Sequence, residues 1–170
     1  MNQHINDLLS KIRVKQPLIL NVTNQVTMNF VANGLLNLGS SPLMTQALEE
    51  VEDLVRIADA VVVNLGTLNE PFVSLCQAVC HAANRMHKPI VLDPVGVGAS
   101  AYRTKTCLDL LEQFHFDIIR GNASEISALS GAAQKTKGVD SSIQTQDAVE
   151  HAQCIASKHE VLLVVSGKTD

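Results

Sequence analysis

Tryptophan is absent from this chain and aromatic residues make up only 3% of it. Any core must therefore be aliphatic, built from Val, Leu, Ile and Ala. No run of Lys or Arg occurs, and the net charge is −4, so a nucleic-acid surface is not expected. No stretch is long and apolar enough to span a bilayer, and residues 1–13 lack the apolar segment of a signal peptide. A cytoplasmic protein without a membrane partner is expected. The four cysteines, Cys76, Cys80, Cys107 and Cys154, are not expected to form a disulfide framework in a chain of this class. Cys76 and Cys80, followed by His81, raise a metal reading. Two small apolar residues on the inward face of a helix are the better account.

What the chain does have is 46% hydrophobic residues over 170 positions, enough for one domain spanning 1–170. Ile5, Leu8, Leu9 and Ile12 recur at helical spacing. Apolar runs then alternate with helical patterns. Strands are expected at 17–22, 41–45, 60–65, 90–93, 117–120 and 161–165. Helices are expected from the Thr23–Asn24 cap to Gly39, with Phe30, Val31, Leu35 and Leu36 inward, and at 49–58, 71–87, 104–114, 123–129 and 145–158. A polar loop is expected over 133–142. Continuous apolar strands rather than period-two alternation indicate a mostly parallel sheet covered on both faces, a three-layer αβα arrangement of the α/β class.

Two strand ends carry the chemistry. Asp93-Pro94-Val95-Gly96-Val97-Gly98 places an acid at the end of an apolar run, where it can hold Mg²⁺ directly or through water. The glycines would let backbone N–H groups approach a ligand. The segment is not a Walker loop, because Gly-Lys-Ser/Thr is missing. Downstream, Arg120-Gly121-Asn122-Ala123-Ser124-Glu125 ends a second strand. The Asn122–Glu125 spacing is that of a helix capping box, which explains it without any catalysis. The functional reading has Glu125 ordering a magnesium-bound water while Arg120 neutralises phosphate. Arg120 at the end of an apolar strand is costly without an anionic partner, which favours function.

Taken with Thr23-Asn24-Gln25-Val26-Thr27-Met28-Asn29-Phe30-Val31-Ala32-Asn33-Gly34, Ser41-Pro42-Leu43-Met44, Glu49-Glu50-Val51-Glu52-Asp53 and Asn64-Leu65-Gly66-Thr67, these segments resemble the hydroxyethylthiazole kinases. That family belongs to the ribokinase-like superfamily. The resemblance runs in order along nearly the whole chain. It implies ATP-dependent phosphorylation of the hydroxyl of 5-(2-hydroxyethyl)-4-methylthiazole in thiamine biosynthesis or salvage. It also implies thiazole contacts from Asn24, Met44, Gly66 and Thr67, ATP contacts from Arg120, Asn122 and Ser166, and a magnesium segment formed by Asp93 and Glu125. Family members form trimers with the thiazole site between subunits. They also continue past this chain's last strand into a glycine-rich segment that supplies the anion hole and the base. The fold is thus expected to be incomplete at its C-terminal end, and no catalytic base is assignable before Asp170. The alternative is a truncated, non-catalytic relative that binds thiazole or nucleotide. Taken singly, Met44 reads as a gap filler, Thr23 and Asn24 as caps, and Ser166-Gly167 as a plain turn.

Overall fold

The computed structural model describes residues 2–131 and 149–167. Helix α1 (Asn2–Lys15) precedes β1 (Leu18–Val22), α2 (Met28–Leu38) and β2 (Ser41–Met44). A 3₁₀ turn (Leu48–Glu50) leads into α3 (Val51–Ile57), then β3 (Ala60–Asn64), α4 (Glu70–Arg85) and β4 (Ile90–Asp93). The rest is α5 (Ala101–Gln113), β5 (Ile118–Asn122), α6 (Ala123–Leu129), α7 (Val149–His159) and β6 (Leu162–Ser166). The six strands form one sheet in the order β2-β1-β3-β4-β5-β6, and every pairing is parallel.

Local chemistry sets the helix ends. Asn69 caps α4 by accepting from the Phe72 N–H, and Pro71 lies in the first turn, where its missing N–H costs nothing. Gly39, at φ 99°, closes α2 with its N–H on the Leu35 and Leu36 carbonyls. The expected helix over 49–58 is divided between the 3₁₀ turn and α3. The polar loop expected over 133–142 and the start of the helix expected at 145 lie outside the described residues.

The chain steps from β1 outward to β2, then reverses and runs β3, β4, β5, β6 across the sheet. Right-handed crossovers therefore put α2 on one face and α3 to α7 on the other. Strand burial agrees. Leu20, Val22, Val61, Val63, Ile90, Leu92 and Ile119 are buried against the α3–α7 layer together with Leu75, Val79, Leu110 and Ile126. On the alternate positions Val62, Val91 and Ile118 are only half-buried, while Leu162 is 62% exposed and Val164 38%. The expected three-layer αβα arrangement is therefore present, with helices on both faces but uneven coverage. Among the described residues, this second face carries α1 and α2 at the β1–β2 side, and its other end is open.

One correction concerns α2. Phe30 is 79% exposed and Leu36 58%, and no residue of the helix is buried. Its apolar stripe is real, but it does not meet this chain's core. Cys76, Cys80 and Cys107 are buried in the aliphatic core as expected of small apolar side chains, whereas Cys154 is exposed. No helix among the described residues is long and apolar enough to cross a membrane.

Candidate functional site

The carboxyl ends of parallel strands bring their following loops to one edge, and here four such loops are stitched together. The register aligns Asn64 of β3 with Asp93 of β4, and Leu92 with Ile119. Asp93 therefore stands beside Arg120, on the same open face of the sheet. Asn64 Nδ2 donates to Asp93 Oδ2 at 2.7 Å, and Arg120 Nη1 lies 4.0 Å from that oxygen. Burial pushes the Asp93 carboxyl up to about 6. The neighbouring Glu125 carboxylate also raises it, while Arg120 and the Asn64 hydrogen bond work in the opposite direction.

Asn64 extends the chain of contacts toward β1. Its Oδ1 accepts from Asn24 Nδ2 at 2.8 Å and from the Gly66 N–H at 3.0 Å. Asn24 Oδ1 in turn accepts from the Val26 and Thr27 N–H groups, so this side chain forms a turn ahead of α2. The helix itself begins only after Thr27, whose side chain makes no cap. The expected Thr23–Asn24 helix cap is corrected accordingly. Gly66 is required by this packing. A Cβ there would stand 2.7 Å from Asn24 Cβ and 3.0 Å from Asn64 Oδ1. Thr67 Oγ1 accepts from the Gln25 N–H at 3.1 Å, which completes the seam between the loops after β1 and β3. Met44, half-buried at the end of β2, pairs in register with Asn21 and so borders the same edge.

Glu125 is 4% exposed, and both its carboxylate oxygens are engaged. Oε2 accepts from the Asn122 N–H at 2.9 Å while Asn122 Oδ1 accepts from the Glu125 N–H, so the capping box is formed. Oε1 reaches across to the Gly96 N–H at 2.8 Å. Gly98 likewise gives its N–H to Thr104 Oγ1 at 2.9 Å. The glycines at positive φ, 73° and 86°, thus shape the loop, and their N–H groups bond inside the protein instead of facing a ligand. This corrects the expectation that their N–H groups approach a ligand.

Arg120 also differs from expectation. Its side chain is 52% exposed, so it is not a cation trapped in the core, and the argument from desolvation does not apply. It is a half-exposed cation beside an acid, open to an anionic ligand. Ser166 pairs in register with Asn122, and its hydroxyl approaches the Gly121 carbonyl at 3.5 Å. Sequence reasoning missed Arg103 and Thr104, which rise from the first turn of α5 to hold these loops. No motif marks them, because their partners are backbone atoms of distant segments.

The donor set suits a hard divalent cation. Burial and the neighbouring Glu125 carboxylate both disfavour the charged form of Asp93, which a cation with oxygen preference would relieve.

The chain is similar to hydroxyethylthiazole kinases throughout. The model of the hydroxyethylthiazole kinase family matches residues 9–170. The hydroxyethylthiazole kinase of Oleidesulfovibrio alaskensis is 46% identical over 172 residues, covering 100% of this chain and 65% of that relative. A solved hydroxyethylthiazole kinase protein from Pyrococcus horikoshii superposes with a TM-score of 0.86 at 39% identity, over 97% of this chain and 61% of the other. A ribokinase-like superfamily protein from Enterococcus faecalis shares the fold alone, with a TM-score of 0.52 at 11% identity. The chain thus spans somewhat under two thirds of the length of the relatives it matches. On a match that covers all but the first eight residues, the chain belongs to the hydroxyethylthiazole kinase family.

Proposed function

We propose that the protein transfers the γ-phosphoryl group of ATP to the primary hydroxyl of 5-(2-hydroxyethyl)-4-methylthiazole, as one ribokinase-like domain over 1–170. The observation that carries this reading is the continuous hydrogen-bonded line from Asn24 through Asn64 to Asp93, with Arg120 beside its end. One end of the line borders Met44, Gly66 and Thr67, a half-buried rim suited to a small neutral ring. The other end carries two acids and an exposed guanidinium, suited to a metal-bound triphosphate.

Each residue then has a task. Asn24, Met44, Gly66 and Thr67 orient the thiazole so that its hydroxyl points toward Asp93. Arg120 neutralises phosphate oxygens, which its exposure allows, and Asn122 and Ser166 border the nucleotide side. Asp93 and Glu125 would hold Mg²⁺, Glu125 through water because its two oxygens already accept backbone N–H groups. The metal would supply charge neutralisation at the transferring phosphoryl group. No residue of this chain is assigned as the base.

The exposed apolar residues Val26, Phe30, Leu36 and Leu38 support a homotrimeric assembly, with this α2 surface covered by a second copy. Free cysteines fit a cytoplasmic location. The test is ATP consumption by the purified protein with the thiazole alcohol, alongside a sugar, pyridoxal and a pyrimidine alcohol. Selective turnover of the thiazole is expected. Turnover of another acceptor alone refutes the substrate assignment, and tight thiazole binding without turnover favours a binding module.

A further inference from the structure

Arg103 begins in the first turn of α5, where Ser100, the N-cap, accepts its backbone N–H. Its guanidinium reaches back to the sheet edge. Nη1 donates to the Leu65 carbonyl at 2.8 Å and to the Val95 carbonyl at 2.9 Å, and Nη2 donates to the Gly66 carbonyl at 2.8 Å. Among the described residues no carboxylate lies within ion-pair distance of it. Gly96 lies against the shaft, since a Cβ there would stand 3.3 Å from Arg103 Cδ.

An arginine without an acidic partner, three of whose five N–H donors end on carbonyls of two separate loops, is a crosslink. The planar fork holds its acceptors in a fixed relation that a lysine cannot reproduce. One loop, Leu65-Gly66-Thr67, continues into the contact with Gln25. The other is the Asp93–Gly98 loop, whose Gly96 and Gly98 N–H groups are held by Glu125 and Thr104, while those of Val95 and Val97 bond to the Asp93 and Pro94 carbonyls.

We propose that Arg103 is a positioning residue: it fixes the Gly66–Thr67 turn, on the acceptor-alcohol side, at a set distance from the Asp93 loop, on the phosphate side. The proposal rests on the kinase reading above. In-line transfer needs the hydroxyl and the phosphoryl group in near-contact, and a misplacement of about 1 Å costs on the order of a hundredfold in rate. Arg103 touches neither reactant in this assignment; it acts through the two backbones.

Two arms test this on the whole protein. Hydrogen–deuterium exchange compares the wild type with Arg103→Met and Arg103→Lys. In both variants the amides of Gly66, Val97 and Gly98 should exchange faster together, at least tenfold, while β1 and β3 amides keep their protection. Steady-state kinetics should show kcat falling roughly 10- to 100-fold with the KM for ATP within about twofold. Methylguanidine should restore part of the rate in Arg103→Ala. Unchanged exchange in the two loops overturns the proposal, as does a loss confined to KM for ATP, which would make Arg103 a phosphate ligand. A wild type that does not phosphorylate the thiazole refutes the functional assignment instead, and the exchange arm then decides the crosslink by itself.

Discussion

Replacing Glu125 with Gln changes one atom and should cost far more than an exposed carboxylate would. The side chain is 4% exposed, and its two oxygens accept the Gly96 N–H at 2.8 Å and the Asn122 N–H at 2.9 Å. A carboxamide has one oxygen and one NH₂. Whichever way it turns, one backbone N–H faces another donor. A hydrogen bond to a charged group contributes about 1.5–3 kcal/mol, and an unpaired buried donor costs a similar amount. Glu125→Gln should thus destabilise the fold by about 3 kcal/mol. For a chain of this size, each kcal/mol corresponds to roughly 2–4 °C, so Tm should fall by roughly 6–12 °C. Differential scanning calorimetry without added metal reads this directly. A fall of less than about 2 °C would refute the claim that both oxygens are committed to backbone donors.

The same variant separates structure from catalysis. If Glu125 serves only to join the Asp93 loop to the α6 cap, the Mg²⁺ concentration for half-maximal activity stays put while kcat falls. If it also holds magnesium through water, the Mg²⁺ requirement rises as well. Glu125→Asp keeps the charge but is one methylene shorter and spans only one of the two N–H groups. Its Tm should lie between those of the wild type and the Gln variant.

Three further outcomes are expected. Asp93 titrates near 3.8 when unfolded and near 6 in the fold, so its stabilising contribution is present below pH 4 and is lost as pH rises through 6. Up to about 3 kcal/mol is involved, and Mg²⁺ should raise Tm at pH 8 but hardly at pH 5, a difference that Asp93→Asn should abolish if Asp93 is a ligand. Gly66→Ala sets a methyl 2.7 Å from Asn24 Cβ and should cost about 1–3 kcal/mol while raising the KM for the thiazole; an unchanged KM would separate Asn24 from substrate binding. Burial pushes the Cys80 thiol up to about 12 and raises Cys76 and Cys107 strongly, so a thiol reagent should label one cysteine per native chain, Cys154; rapid labelling of a second would contradict the packing.

Much of the architecture was legible because its signals are local. Gly39, Pro71 and the Asn122–Glu125 pair announce helix ends through backbone chemistry that acts within a few residues. The apolar runs at 60–64 and 90–93 predict buried parallel strands by the same logic. What failed was the destination of apolar surface. Phe30 and Leu36 have helical spacing, and spacing states that a face is apolar without stating which surface covers it. Val62, Val91 and Leu162 repeat the lesson in the sheet, where an unbroken apolar run reads the same whether one face or both are covered by this stretch of chain.

The site divides along a related line. Asp93 and Arg120 were visible as polar residues at the ends of apolar runs, and Asn24 through the family resemblance. Their roles were not visible, since each depends on a partner 27 to 40 positions away, as in the Arg120–Asp93, Asn64–Asp93 and Asn24–Asn64 contacts. Arg103 left no trace because its partners are carbonyl oxygens, which every residue possesses. This has a consequence for substitution. At Asn64 and Glu125 the side chain is specified by two backbone or amide partners at once, so conservative changes should fail there. At Arg120, half-exposed and 4.0 Å from its nearest acid, Lys should retain much of the function, because a loosely held cation serves phosphate by charge rather than by fixed geometry.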